Sequence, residues 1–550
     1  MTRFRLGPPL LFVFCSAGLV LAQSAPAVFF TDLDSGPNTG GESNQGTILT
    51  IYGKGFGATQ GGSTVTLGGG SVAAYLQWGA VIPGGSGIQK ISVAIGPAAK
   101  TGPVVVLVNG VSSNSNVTFA VRPGNIYCVS PSGRDSASGK FPSNCWLTAQ
   151  HARDQMAAGD TAYFLDGFAI SGGNDEGFNY SLWLDKGGTA NKPKAYVAYP
   201  GAKVTFGGIG LGSTGIHNPN NWITLAGIQI RNAFLLRDGG RWRIVGNDIS
   251  CPSGDSGGGG ACHESGNITG ATASTPNRYL GNVWHDVSSN VVSSVSKLYH
   301  ATYFDSGAAH VELGWNTWHD NQANRALQLY DSSARQADFS IHDNLIYNNR
   351  GTAMVLSDLD TSTYPTVVYN NIIYHVGLGP GFADATNWQC IVTAEGSSSS
   401  NPIDVYNNTL YDCGPFGSRS NAAIEVNSAQ PTRLRNNIVY QLNSRVEYLN
   451  LHSGIALVCD SNLFFGNGRA PSQCTHALSA DPLFVNPGSG DLHLQPGSPA
   501  IAAGPSTGIA FDFDGVPRPG AAYSLGACEP GTLLKRPGSP ANLKITVEGR

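Results

Sequence analysis

The chain has 550 residues, of which only 12% are charged and 72 are glycine, and its formal net charge is −4. Ordinary globular domains carry about 25% charged residues, so this composition fits a turn-rich all-β protein with mostly buried strands. It lacks the basic excess that a nucleic-acid partner would need, and the length asks for two or three domains.

Residues 1–22 read as an export signal. Arg3 and Arg5 precede the short apolar runs Leu10–Val13 and Ala17–Leu21, and Val20-Leu21-Ala22 offers a cleavage site. No later run approaches the ~18 apolar residues of a membrane helix. The chain is therefore expected to be secreted, extracellular or periplasmic, without a membrane span, and to act as a monomer. Once Cys15 is removed with the signal, neighbours in sequence pair as 128–145, 251–262, 390–413 and 459–474, leaving Cys528 over. No spacing is Cys-x-x-Cys, which argues against a zinc pair.

Residues 27–122 form a unit of short strands separated by Gly, Pro and Ser turns, as in a small sandwich. The run Gly46-Thr47-Ile48-Leu49-Thr50-Ile51-Tyr52-Gly53-Lys54-Gly55-Phe56-Gly57 resembles the opening signature of IPT/TIG immunoglobulin-like domains. That resemblance implies a spacer or binding module, without chemistry of its own.

Residues 125–480 read as a solenoid. A strand at Ile126–Val129 leads to a helix-like stretch, Trp146–Ala157, and then to Gly159-Asp160-Thr161. The helix would cover the open apolar end that a solenoid must cap. A unit then recurs: a short alternating apolar run, Asn, and a second apolar run with an aromatic. The shared Asn falls at 247, 282, 316, 344, 371, 408, 437 and 462. Period-two runs rich in Val, Ile, Tyr and Trp are strands, and repetition at roughly 20–50 residues marks a solenoid. No two-residue Asn-Gly or Asp-Gly loop joins the runs, which argues against hairpins. The fold class expected is all-β: a right-handed parallel β-helix behind an Ig-like sandwich. The Asn residues are expected at its corners, taking the left-handed conformation and hydrogen-bonding along the stack.

Residues 481–530 hold Asp481-Pro482-Leu483-Phe484, Gly490-Asp491-Leu492-His493 and Asp512-Phe513-Asp514-Gly515, and residues 531–550 are a tail. The entry, the repeats and this closing pattern together resemble the secreted pectate-lyase-like β-helix superfamily. The resemblance implies the fold, and a site on one sheet face with its flanking loops. It leaves the activity open, because the superfamily includes polysaccharide lyases, glycoside hydrolases and proteins without known catalysis.

After each Asn corner comes a second strand. Period two sends Thr302, Phe304, Leu327 and Leu329 inward, and Tyr303, Asp305, Gln328, Tyr330, Ser357, Glu425 and Asn427 outward. His300, Arg325 and Arg350 stand just before these strands. Aromatics with polar groups between them suit a polysaccharide, the expected partner. For β-elimination on an acidic glycan, the first reading, Arg325 or Arg350 neutralises the uronate, His300 is the base, and Tyr303 or Tyr330 returns a proton. Gln328, Arg350 and Glu425 are the binding residues. No Lys except Lys297 is near the central strands, and no lyase signature is evident. The alternative is hydrolysis by paired carboxyls, with Asp305 and Asp331 the best pair and Asp358 and Asp360 in reserve. The other alternative is a non-catalytic binding or adhesion protein. Some of these acids are equally turn residues or Ca²⁺ ligands, and Ca²⁺ is the one cofactor considered.

Three short motifs are set aside. Gly254-Asp255-Ser256-Gly257-Gly258 and His151 echo a serine protease without its strand-turn-helix setting. Gly207–Gly212 opens no helix. His263-Glu264 lacks the second His of a metalloprotease helix.

Overall fold

Each repeat folds as one coil of three parallel strands. In one coil they are Ala337–His342, Leu345–Asn349 and Thr352–Ser357. The first strands stack into a 13-stranded parallel sheet, while second and third strands stack side by side and join into a 20-stranded sheet. Register is kept from coil to coil: Leu345 pairs with Ile372, and Ile372 with Thr409. The chain is thus an all-β protein built on a parallel β-helix. These statements come from a computed structural model, which describes residues 25–212, 221–253, 261–266, 270–290, 299–333, 335–379, 388–397, 399–415 and 421–530. The export signal, the tail, Lys297 and the Gly254–Gly258 motif lie outside the described residues.

The corner between first and second strands is held by the recurring asparagines, all of them buried. The backbone N–H and Nδ2 of Asn344 both donate to Oδ1 of Asn371, at 3.0 and 2.9 Å. Nδ2 also donates to the Leu313 carbonyl at 2.9 Å. The pattern runs unbroken from Asn247 to Asn462. The left-handed conformation, however, belongs to the residue before each ladder Asn. Asp343 has φ 53°, Asn370 53°, Asn407 49° and Trp315 56°. The physical reason is that the ladder Asn must aim its amide along the stack, so its neighbour makes the turn. Two of these turn positions are Gly246 and Gly281. A Cβ there would lie 2.5 Å from Tyr52 Oη and 2.4 Å from Phe30 Cζ, so the N-terminal sheets seat directly on them.

Those N-terminal sheets, one of four strands and one of six, are largely antiparallel and span 27–121. Their core is continuous with outward side chains of the first-strand sheet, among them Tyr163, Val197 and Leu280. Tyr163 Oη is bonded to both the N–H and the carbonyl of Ile48, at 2.9 and 2.8 Å, and Arg243 donates to the carbonyls of Thr31 and Asp32. Phe29 stacks on Trp315 at 5.5 Å.

The capping helix is shorter than expected, Ala149–Gln155, with Thr148 Oγ1 accepting from the His151 N–H. Ala149, Ala152 and Met156 enter the solenoid core. The C-terminal segment lies along the outer face of the second strands. There Phe484, Leu492, Leu494 and Leu525 cover Leu345, Ile372, Ile438 and Leu463. These outward aliphatic side chains form a stripe that water would otherwise meet.

All four expected disulfides are present: 128–145, 251–262, 390–413 and 459–474. Cys528 is free and buried. Four disulfides fit a chain that folds in an oxidising compartment, and no described helix is long and apolar enough to cross a membrane.

His263, inside the coil, lies among Phe234, Tyr279, Trp284 and Phe304. Neither ring nitrogen has a hydrogen-bond partner, and burial pushes its pKa down to about 3 from 6.5. Below pH 6.5 the unfolded chain therefore binds a proton that the folded chain refuses. Stability is expected to fall from pH 6.5 towards 3, by up to about 1.4 kcal/mol per pH unit from this group. Denaturant titrations across that range should show the slope reduced in His263→Phe.

Candidate functional site

Two of the three solenoid faces carry other parts of the chain: the N-terminal sheets lie on the first strands and the C-terminal segment on the second. On the third strands the outward side chains Glu264, Tyr303 and Asp305 are half-buried, while Gln328 and Val355 are buried. Strand alternation places one row of outward side chains at Glu264, Tyr303 and Gln328, and a second row at Gly266 and Asp305.

The rung before His300–Asp305 supplies residues that the sequence reading passed over. Arg237 Nη2 bonds Oε1 of Glu264 and lies 3.2 Å from Oδ2 of Asp305. Two oxygens bonded to one nitrogen stand at most about 6 Å apart. Burial, followed by the nearby Glu264, raises the Asp305 carboxyl to about 6. Its Oδ1 is buried and without a partner. Gly266 makes room for it, since a Cβ there would lie 1.9 Å from Asp305 Oδ1. Gly266→Ala must displace the carboxyl.

Tyr303 is half-buried, and burial together with the surrounding acids raises its pKa, so the hydroxyl keeps its proton. Arg325 begins the next third strand, in register with His300. Burial lowers its pKa to about 10, so it remains a cation at neutral pH. Its Nη1 reaches Gln328 Oε1, its Nε has no partner, and it forms no ion pair with a described carboxylate.

Other expected residues fall elsewhere. His300 is 4% exposed; burial first, then the Arg325 cation, lowers its pKa. Its ring packs beside Tyr303, 5.3 Å between centroids, and, being buried, it does not face the groove as a solvent-accessible base. Asp331 is on the rung next to Asp305 but one position out of register, because Phe304 pairs with Leu329 and so sets Asp305 opposite Tyr330. Its carboxylate accepts from the Ser306 N–H at 2.9 Å and from Ser333 N–H and Oγ at 2.7 and 2.6 Å, the work of a turn cap. Asp358, raised to about 6 by burial and by Glu395, forms a separate acid pair, and Asp360 caps Ser362. Gln328 is buried against Arg325. Arg350 stands on the corner before Thr352–Ser357, its N–H bonded to the Asn321 carbonyl. Glu425, four rungs from Tyr303, is held by Gln389 at 2.7 Å and His452 at 3.0 Å. That spacing is about 19 Å, beyond any shared reaction centre with Asp305.

No protein-family model matches the chain, and no curated protein matches it. Solved structures do. The complex of XylC with xylose has a TM-score of 0.41 and 11% identity, over 74% of this chain and 99% of that one. Pectate lyase Pel9A has 0.35 and 16%, over 74% and 97%. The lacto-N-biosidase of Eubacterium ramulus has 0.35 and 10%, over 62% and 67%. Similarities of this size concern the backbone path and say nothing of the reaction.

Proposed function

We propose that the third-strand face binds an acidic polysaccharide and cleaves it by hydrolysis. The observation that carries this reading is the Asp305–Glu264 pair held on Arg237, with the Arg325 cation on the following rung of the same third-strand sheet. Two carboxyls this close do not both ionise cheaply. A carboxyl raised to about 6 serves as general acid to the glycosidic oxygen. Glu264 is then nucleophile or base. The bound on their separation includes the 5–5.5 Å typical of retaining enzymes. Arg325 receives the uronate carboxylate, and Tyr303 offers a ring to the sugar and a hydroxyl to its oxygens.

Elimination is the second reading, favoured by the same Arg325, whose unpaired guanidinium neutralises the carboxylate that an elimination must discharge. It lacks an accessible His300. A panel of uronate-bearing and neutral glycans separates the readings. New reducing ends without unsaturated-uronate absorbance support hydrolysis, that absorbance supports elimination, and neither signal with retained binding leaves a glycan-binding protein. In the domain scheme that accompanies this reading, 27–122 is an immunoglobulin-like module bracing the solenoid of 125–480, 481–530 is a clasp, and residues 1–22 direct secretion.

A further inference from the structure

Away from the groove, the fold gathers a histidine, a carboxylate and a thiol that the proposed reaction does not use. His493, Asp514 and Cys528 come from separate stretches of the C-terminal segment, and their ligand atoms lie within 4.8 Å of one another. His493 Nε2 is 2.6 Å from Asp514 Oδ2, and its Nδ1 is 2.6 Å from Asp491 Oδ1. A carboxylate on the far nitrogen is how proteins fix the tautomer and aim of a metal-ligating histidine. Cys528 is the one described cysteine outside a disulfide, and its thiol faces His493 and not another sulfur.

We propose that His493 Nε2, Asp514 Oδ2 and Cys528 Sγ bind one divalent ion of the zinc type, leaving a fourth position to water. The donor set decides the class. Magnesium and calcium take oxygen ligands, whereas nitrogen, sulfur and carboxylate oxygen together are a zinc set. Charge is consistent: the thiolate with Asp491 and Asp514 balances the ion and Lys54, whose Nζ is 2.5 Å from Asp514 Oδ1. Access is also consistent, because the His493 and Asp514 side chains are 45% and 23% exposed, while Cys528 forms the floor. On binding, the Cys528 S–H bond and the His493 Nε2–H bond that Asp514 accepts both break, the two protons leave to solvent, and sulfur–metal and nitrogen–metal bonds form, while Nδ1–H stays on Asp491. The site stands where the C-terminal segment meets the N-terminal sheets through Lys54 and Phe513, so the ion would fasten that joint. A spacing test that looks for cysteine pairs passes over a site with one thiol.

The test strips the full secreted chain with a chelator and titrates it with Co²⁺ as the probe. One Co²⁺ per chain is expected to bind, with thiolate-to-metal charge-transfer absorption, and Zn²⁺ should displace it and raise the melting temperature. Cys528→Ser should lose the charge-transfer band. Should that buried variant fail to fold, His493→Ala, at a half-exposed position, should fold and lose both the band and the melting shift. Asp491→Asn should weaken binding about 10–100-fold. No charge-transfer band with stoichiometric Co²⁺ in the wild type, or a band that survives unchanged in His493→Ala, would overturn the proposal.

Discussion

Asn371→Ala is expected to destabilise the protein by about 3–5 kcal/mol, since each buried polar group left without a partner costs about 1–3 kcal/mol. The change deletes the bonds from Nδ2 to the Ile341 carbonyl and to Asn408. It also leaves the N–H and Nδ2 of Asn344 facing an absent Oδ1. The Leu313 carbonyl still accepts from Asn344 Nδ2, but the Asn344 N–H and the second Nδ2 hydrogen are left without an acceptor in a fully buried corner. Chemical denaturation of the variant should show the loss as a lower midpoint at similar slope. The same change at Asn462, where the ladder ends, should cost less. An equal, small loss at both positions would show that the amides stack without contributing as a ladder.

Asp305→Asn and Glu264→Gln are expected to lower turnover about 10²–10⁴-fold, the usual contribution of a positioned acid or base. Folding should survive either change, because Arg237 keeps the remaining acidic partner and is itself partly exposed. The two losses should differ in kind. Without Asp305, substrates with good leaving groups should recover most of the rate, because they need no proton. Without Glu264 they should not, whereas a small external anion should restore some turnover by replacing the nucleophile. The pH profile follows from the raised Asp305 carboxyl, about 6. As pH rises through that value the acid loses its proton, so activity falls on the alkaline side. In Asp305→Asn that limb should vanish.

The solenoid was legible because its corner residue repeats in the sequence, and the ladder needs the same amide on every coil. The turn-making residue was not, because Gly, Trp, Asp, Asn and Ser all occupy it and only the backbone reveals their shared conformation. Period two identified the third-strand face and its outward Tyr303 and Asp305. It gave no warning that His300 is buried, which only its packing beside Tyr303 shows. Asp331 was misplaced by one residue because alternation gives the face of a strand but not its register. Glu264 and Arg237 were missed for different reasons. Glu264 sits in Ala261–Gly266, one rung above the point where the strand alignment began, and extending that alignment would have found it. Arg237 ends the long strand Gln229–Arg237, ahead of the regular repeats, where no periodic signal points to it. The C-terminal segment's position along the second strands depends on contacts across more than a hundred residues, such as Arg518 to Asn370 at 2.8 Å, and no local pattern encodes them.

The most direct measurement is product analysis after incubation with an acidic glycan in ¹⁸O-labelled water. A hydrolase using Asp305 and Glu264 places one labelled oxygen on each new reducing end, forms no unsaturated uronate, and loses both the label and the cleavage in Glu264→Gln. Unlabelled, unsaturated ends, or cleavage that persists in both carboxyl variants, would contradict the account.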